Sequence, residues 1–274
     1  MRTMRVLLCL LVSLLAGMAL LVVSCTRPAG PGLAVPAPKP RPSVPVKQLA
    51  DPARAGVAGP VDPDPRVGAV FFGGTARHAC TASVVHSKSG DLVLTAAHCL
   101  SGGTSAGFVP GFAGDDFDMW TLHETYFDPR WLATKDPRAD YAIARVTGLG
   151  PGTLEAHVGS ALSLAAAPAA GSRISVIGYP GGVGGLPIGC QASSAMTGDG
   201  FPSLPCEGLV DGTSGAPWIS GVAVTGLIGG LQGGGCAENV SYSAPFDEHT
   251  AALLARAEGG GPGDTAPTDY RDPC

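Results

Sequence analysis

Three side chains have the types and order needed to act together on one bond. Ser214 lies in DGTSGAPW at 211–218, with Gly212 two places before it and Gly215 directly after. A serine hydroxyl is a weak nucleophile near neutral pH and needs an adjacent base. His98, in TAAHC at 95–99, is a base of the right type; it follows the apolar run DLVL, and Cys99 follows it. Asp140 opens DYAIARV at 140–146. A carboxylate that orients an imidazole must be partly buried, and an apolar strand beginning at the aspartate offers that setting. Each residue also has an ordinary reading. Glycine-rich turns commonly carry serine, a histidine at a strand end is commonly structural, and a strand-end aspartate is commonly solvated. Singly, none of them marks a site.

Rival serine chemistries fit the pattern poorly. An α/β-hydrolase needs G-x-S-x-G and the chain order Ser, Asp, His, whereas position 216 is Ala and His98 comes first. No S-x-x-K stands near Ser214. Taken together, TAAHC, DYAIARV and the G-x-S-G-x-P of Gly212, Ser214, Gly215 and Pro217 resemble the chymotrypsin-like serine peptidases. The intervals are similar to those of compact bacterial members, including the glutamyl endopeptidase-like branch.

The resemblance covers residues 67–258 and implies an all-β fold: two packed six-stranded Greek-key β-barrels with a C-terminal α-helix. His98 would come from the first barrel, Ser214 from the second, and Asp140 from near their junction. The implied activity is that of a serine endopeptidase working through an acyl-enzyme on a protein or peptide substrate. His98 is then the general base, Asp140 the residue that holds its tautomer, and Ser214 the nucleophile. The backbone N–H groups of Gly212 and Ser214 would bind the oxyanion, and glycine at 212 permits the unusual backbone that aims them inward. No metal or organic cofactor is implied, and the unit is expected to be a monomer.

Family members made as zymogens carry an aspartate directly before the nucleophile, which a freed N-terminal ammonium engages. Thr213 stands there instead, so activity is expected not to require a new N-terminus at Val67 despite Arg66-Val67-Gly68. Alignment with the family places Gly208 and Leu209 near the base of the substrate pocket and GLIGGL (226–231) along its wall. With no acid at the base and Ile228 where glutamyl endopeptidases carry histidine, the expected preference is for a neutral, small or apolar side chain. Gly229 and Gly230 would let a substrate backbone pair closely, and Asp211 would repel acidic side chains.

The resemblance also implies disulfides. Cys80–Cys99 is the firm pair; Cys190–Cys206 resembles a bridge of compact bacterial relatives, which leaves Cys236–Cys274. Cys206–Cys236 remains the rival pairing.

These residues need a scaffold of short strands. VGAVFFGG, CTASVVHS and DLVLTAAHC are β-rich runs separated by Gly, Ser and Asp, and SKSGD at 87–91 reads as a turn between two of them. A hairpin there could place the sulfurs of Cys80 and Cys99 opposite one another. MWTLHETYF, DYAIARV, RISVIGYP, GAPWISG and AVTGLIGGL continue the pattern, as in a sandwich or barrel. The one clear helix is DEHTAALLARAEG, with Ala251, Leu253, Leu254 and Ala257 on one face and Asp247 and Glu248 at its positive end. The Gly/Pro-rich tail 259–274 is expected to be loose unless Cys274 is bonded.

The chain as a whole agrees. It has 274 residues, 45% hydrophobic and only 14% charged, with 41 Gly and 25 Pro, a composition of many turns and few long helices. A net charge of −5 provides no basic field for nucleic acid. Arg2 and Arg5 precede an apolar run from Val6 to Cys25, which reads as an export signal. A single transmembrane anchor is the plain alternative. The ending LVVSC resembles a bacterial lipobox, which would make Cys25 a lipidated mature N-terminus anchored to the outer face of the membrane. Residues 26–66, proline-rich in stretches such as VPAPKPRPSVP, read as an extended tether. With Cys9 in the signal and Cys25 lipidated, six cysteines remain for an oxidising compartment. No CxxC or Cys/His ligand spacing suggests a zinc site. Two non-enzymatic readings stand beside the peptidase: a catalytically silent protease-like binding domain, and a structural surface protein with no need of the His/Asp/Ser set.

Overall fold

A computed structural model describes residues 55–114 and 118–274. The apolar N-terminal run, Cys25 and the proline-rich stretch up to residue 54 lie outside the described residues. No helix among the described residues is long and apolar enough to cross a membrane.

Six strands form a closed barrel: Val67–Phe72, Arg77–Val85, Leu92–Thr95, Ala106–Pro110, Trp120–Phe127 and Ala142–Thr147. Arg77–Val85 pairs with Val67–Phe72, which pairs with Ala106–Pro110, then Trp120–Phe127, Ala142–Thr147 and Leu92–Thr95, and the last returns to Arg77–Val85. Every pairing is antiparallel. Closure removes the exposed edges that an open sheet would present. Branched and aromatic side chains fill the interior, with Val70, Val84, Leu92, Leu94, Phe108 and Ile143 fully buried.

In the second half, Arg173–Gly178, Ile188–Ser193, Pro217–Ser220 and Ala223–Leu227 form the antiparallel centre of a six-stranded sheet. Two-residue strands, Gly59–Pro60 and Ser163–Leu164, form its edges. Ala195–Met196, Pro202–Leu204 and Ser241–Tyr242 make a separate three-stranded sheet. The expected pair of six-stranded barrels is therefore realised fully only in the first half. In the second, glycine turns interrupt the pairing after Leu227, where Gly230, Gly233, Gly234 and Gly235 all have positive φ. The second core gathers around Trp218, Ile174, Val176 and the Cys190–Cys206 bridge.

Two boundaries differ from the sequence reading. The folded body begins before Val67: Gly56–Val57 pairs with Cys206–Glu207, and Gly59–Pro60 with Ile188 and Gly189. Extended backbone can join a sheet edge whatever its composition, and Pro60 sits at such an edge, where its missing donor costs least. At the other end the tail is packed. Asp264 N donates to Thr125 O at 2.7 Å, Gly102 N donates to Pro267 O at 2.7 Å, and Cys274 is bonded to Cys236.

The helix spans Glu248–Gly259, capped by Asp247 with Thr250 completing a capping box. Leu253 and Ala257 are buried and Leu254 is half-buried, but Ala251 is exposed and Thr250 is buried in its place. The cap sets this rotation, because Thr250 Oγ1 accepts from Asp247 N at the buried end.

Candidate active site

His98 stands in the short helix Ala97–Leu100, which follows the barrel strand Leu92–Thr95. The neighbouring Cys99 is bonded to Cys80 on the adjacent strand. This bridge fixes the backbone beside the imidazole. Asp140 arrives by a different device. Between Trp120–Phe127 and Ala142–Thr147 the chain makes two short helical turns, Pro129–Thr134 and Pro137–Ala139. Each has an aspartate cap followed by proline: Asp128 accepts from Arg130 N and Asp136 from Arg138 N. Tyr141 OH donates to Asp128 Oδ2 at 2.7 Å, and Arg130 binds the same carboxylate through two nitrogens. Burial works to raise the Asp128 carboxyl, but the Arg130 and Tyr141 hydrogen bonds hold it below the ordinary carboxylate value. Asp140 ends the second turn, 1% exposed.

Three N–H groups converge on the Asp140 carboxylate. Oδ1 accepts from His98 N at 2.9 Å; Oδ2 accepts from His98 Nδ1 at 2.8 Å and from Gly230 N at 2.7 Å. With Nδ1 donating, the neutral imidazole has its free lone pair on Nε2. Burial of the ring, whose side chain is 13% exposed, disfavours its charge. The charge and hydrogen bond of Asp140, with the charge of Asp272 added, outweigh that and raise the imidazole above its ordinary value.

Ser214 lines two cavities, both shared with His98, Asp211 and Asp272. One runs along the Cys80–Cys99 bridge; the other, of about 390 Å³, is walled by Leu209, Val210, Ile228 and Gly233–Cys236. Gly212 has φ +90 and Gly215 φ +82. A side chain at Gly212 would collide with the backbone of Gly181 and Pro180, and one at Gly215 with Thr81 O and Thr95 Oγ1. Thr213 N donates to Val210 O and Gly215 N to Ile228 O. Among the described residues, the N–H groups of Gly212 and Ser214 between them have no protein acceptor.

The sequence reading missed Thr81. This buried residue, one position after Cys80, stitches the serine loop to the barrel. Its N–H donates to Ser214 O at 2.8 Å, its Oγ1 donates to Gly212 O at 3.1 Å and accepts from Tyr179 N at 2.9 Å, and its carbonyl accepts from Thr95 Oγ1 at 2.7 Å. Its place beside Cys80 in CTAS was the available signal. The two Asp-Pro-Arg caps before Asp140 were also legible, as helix starts.

The five residues assigned to a substrate pocket separate. Leu209 and Ile228 line the cavity at Ser214; Gly208, Gly229 and Gly230 do not. Gly230 turns its N–H onto Asp140, and an added Cβ there would strike Ser243 and Ala244; one at Gly229 would press on Asp140 itself. These two glycines thus buttress the carboxylate. Thr213 is 1% exposed and its hydroxyl donates to Val210 O at 2.7 Å. Val67 opens its strand, 0% exposed, with its N–H on Asp64 O. The metal-type donors Cys80, His98 and Cys99 lie close together, but both sulfurs are in the disulfide.

The model of the trypsin-like peptidase domain matches residues 80–227, more than half of the chain. With this fold and site, the chain belongs to the trypsin-like peptidase family and is a serine endopeptidase. Its structure is similar to that of a thermostable serine protease, AL20, from an extremophilic microorganism, at 25% identity over 72% of this chain and 99% of that one, TM-score 0.62. It is also similar to the protease Anisep of Arthrobacter nicotinovorans (22% identity, 74% and 100% coverage, TM-score 0.65). A Glu endopeptidase shares the fold at 15% identity, covering 74% and 97%, with TM-score 0.61. No curated protein matches the chain by sequence. The three disulfides suit an oxidising compartment outside the cytoplasm.

Proposed function

We propose that the chain is an exported serine endopeptidase in which Ser214, His98 and Asp140 form the catalytic set. The observation that carries the reading is the His98 Nδ1–Asp140 Oδ2 hydrogen bond at 2.8 Å, beside a cavity lined by both His98 and Ser214. Ser214 Oγ attacks the scissile carbonyl carbon while His98 Nε2 takes its proton. The oxyanion is held by the N–H groups of Gly212 and Ser214. His98 then passes the proton to the leaving amine, and an acyl-Ser214 ester remains. Water, deprotonated by His98, hydrolyses that ester. Asp140 fixes the imidazole tautomer and stabilises the imidazolium.

Thr213 supports activity without a new N-terminus. It has no charge for an ammonium to engage, and its hydroxyl is already satisfied by Val210 O. The apolar walls Leu209 and Ile228, with Asp211 at the cavity, favour a neutral side chain before the scissile bond and disfavour an acidic one. The basic start, apolar run and LVVSC support export with Cys25 as the lipid-bearing N-terminus.

The test is labelling with a fluorophosphonate. The native protein is expected to form an adduct on Ser214, and Ser214→Ala and His98→Ala to form none. A native protein that takes no label and cleaves no peptide library would leave the protease-like binding domain as the better reading.

A further inference from the structure

The last fifteen residues cross the body, pass over the catalytic histidine and end in a disulfide. Asp264 anchors the start of this strap: it accepts from Phe127 N at 2.8 Å and pairs with Arg256. Pro267 O takes Gly102 N, and Asp269 pairs with Lys135 at 2.8 Å. Tyr270 then stacks on His98, ring centroids 5.6 Å apart and planes 20° from parallel, and it also meets the Trp131 ring, at 5.3 Å. Asp272 lines both cavities that contain Ser214. Gly233, in the wall of the larger cavity, lies against Tyr270 OH and Pro273. The strap finishes in the Cys236–Cys274 disulfide, with both cysteines exposed.

We infer that residues 265–274 are an internal plug of the substrate cleft, locked shut by the Cys236–Cys274 disulfide. The inference rests on the catalytic reading above. An endopeptidase must accept chain on both sides of the scissile bond. The face of His98 that Tyr270 covers, and the wall of Gly233 that Pro273 covers, lie against the cavity in which the residues around that bond must seat. Reagents small enough to fit the cavity still reach Ser214, while an extended peptide competes with the strap. A short tether gives its end an effective concentration on the order of mM. A strap that bound in trans with a Kd of about 0.1 mM would therefore hold the cleft closed about ten to one, so releasing it should raise activity on extended substrates about tenfold.

The experiment uses the full chain and its Cys236→Ser/Cys274→Ser and Tyr270→Ala variants. Each is assayed with a fluorophosphonate and with a peptide anilide carrying four residues before the scissile bond. The expected result is unchanged labelling within about threefold, with kcat/KM on the peptide raised about tenfold in both variants, mainly through KM. The synthetic peptide of residues 265–274, with serine at its last position, should inhibit the released enzyme competitively and the native one hardly at all. Unchanged or reduced peptide hydrolysis in both variants, with labelling intact, overturns the plug and makes the strap a fixed wall of the site. Absence of Ser214-dependent labelling in every form would instead refute the catalytic reading, and the plug with it.

Discussion

Replacing Asp140 by asparagine tests the centre of the site, because the surroundings of this carboxylate leave the substituted amide no good orientation. Two oxygens accept three N–H groups, from His98 N, His98 Nδ1 and Gly230 N. An asparagine keeps one oxygen and gains an NH₂ that can only donate. If the NH₂ takes the Oδ1 place, it meets His98 N–H. If it takes the Oδ2 place, it meets Gly230 N–H and forces the imidazole into the other tautomer, with its proton on Nε2, where the base should be free. The second arrangement removes the base outright. In the general serine triad this exchange costs about 10⁴ in kcat, equivalent to about 5 kcal/mol of transition-state stabilisation. The first arrangement leaves a buried donor unpaired, worth about 1–3 kcal/mol of stability. The assay is kcat on a peptide anilide with thermal unfolding measured alongside. Asp140→Asn should lose three to four orders of magnitude in kcat with the fold retained. A variant that is folded and within tenfold of native kcat would refute the assignment of Asp140 to tautomer control.

Three further outcomes follow from the same geometry. Gly212→Ala forces φ +90 on a residue with a Cβ and drives that Cβ into the Gly181 and Pro180 backbone; a loss of at least about 2 kcal/mol in denaturant unfolding is expected, with labelling of Ser214 impaired. The acid limb of fluorophosphonate labelling should have its midpoint above the ordinary imidazole value near 6.5. His98 must be neutral to act as base, and Asp140 and Asp272 favour its charged form against burial. Asp272→Asn should shift that midpoint to lower pH, with Asp140 and Tyr270 left beside the ring, and an unmoved midpoint would exclude Asp272 as a contributor. The sign for stability is the reverse: the raised His98 contributes below its unfolded pKa, and its contribution is lost as pH rises through the folded value.

The peptidase class was legible because its chemistry is written in short local strings. TAAHC and G-x-S-G-x-P each specify a backbone turn as well as a side chain, and their order sets them apart from the α/β-hydrolases. Strand texture was legible for a related reason: alternation in RISVIG maps directly onto the buried positions Ile174, Val176 and Gly178. The GLIGGL string does not say which way its N–H groups point, and Gly229 and Gly230 stand at the Asp140 carboxylate rather than in the wall of the cavity at Ser214. Gly230 N–H reaches Asp140 at a point where Ser243 and Ala244 leave no room for a side chain.

The sequence by itself named His98, Asp140 and Ser214 as candidates and determined the peptidase class, the β-rich body and a cysteine content suited to an oxidising compartment. The tertiary structure alone decided how these are held and covered. Thr81 ties the serine loop to the barrel through hydrogen bonds to Ser214 O and Gly212 O, more than 130 residues away, and no local pattern encodes such a contact. The tail was decided there too. Its composition of Gly, Pro, Asp and Thr would leave it solvated on its own. Anchors at Asp264, Asp269 and Cys274, each to a residue elsewhere in the chain, bring Tyr270 onto the face of His98. Order in a segment that cannot bury its own core comes from the surface it lies on, and that surface exists only once the rest of the chain has folded.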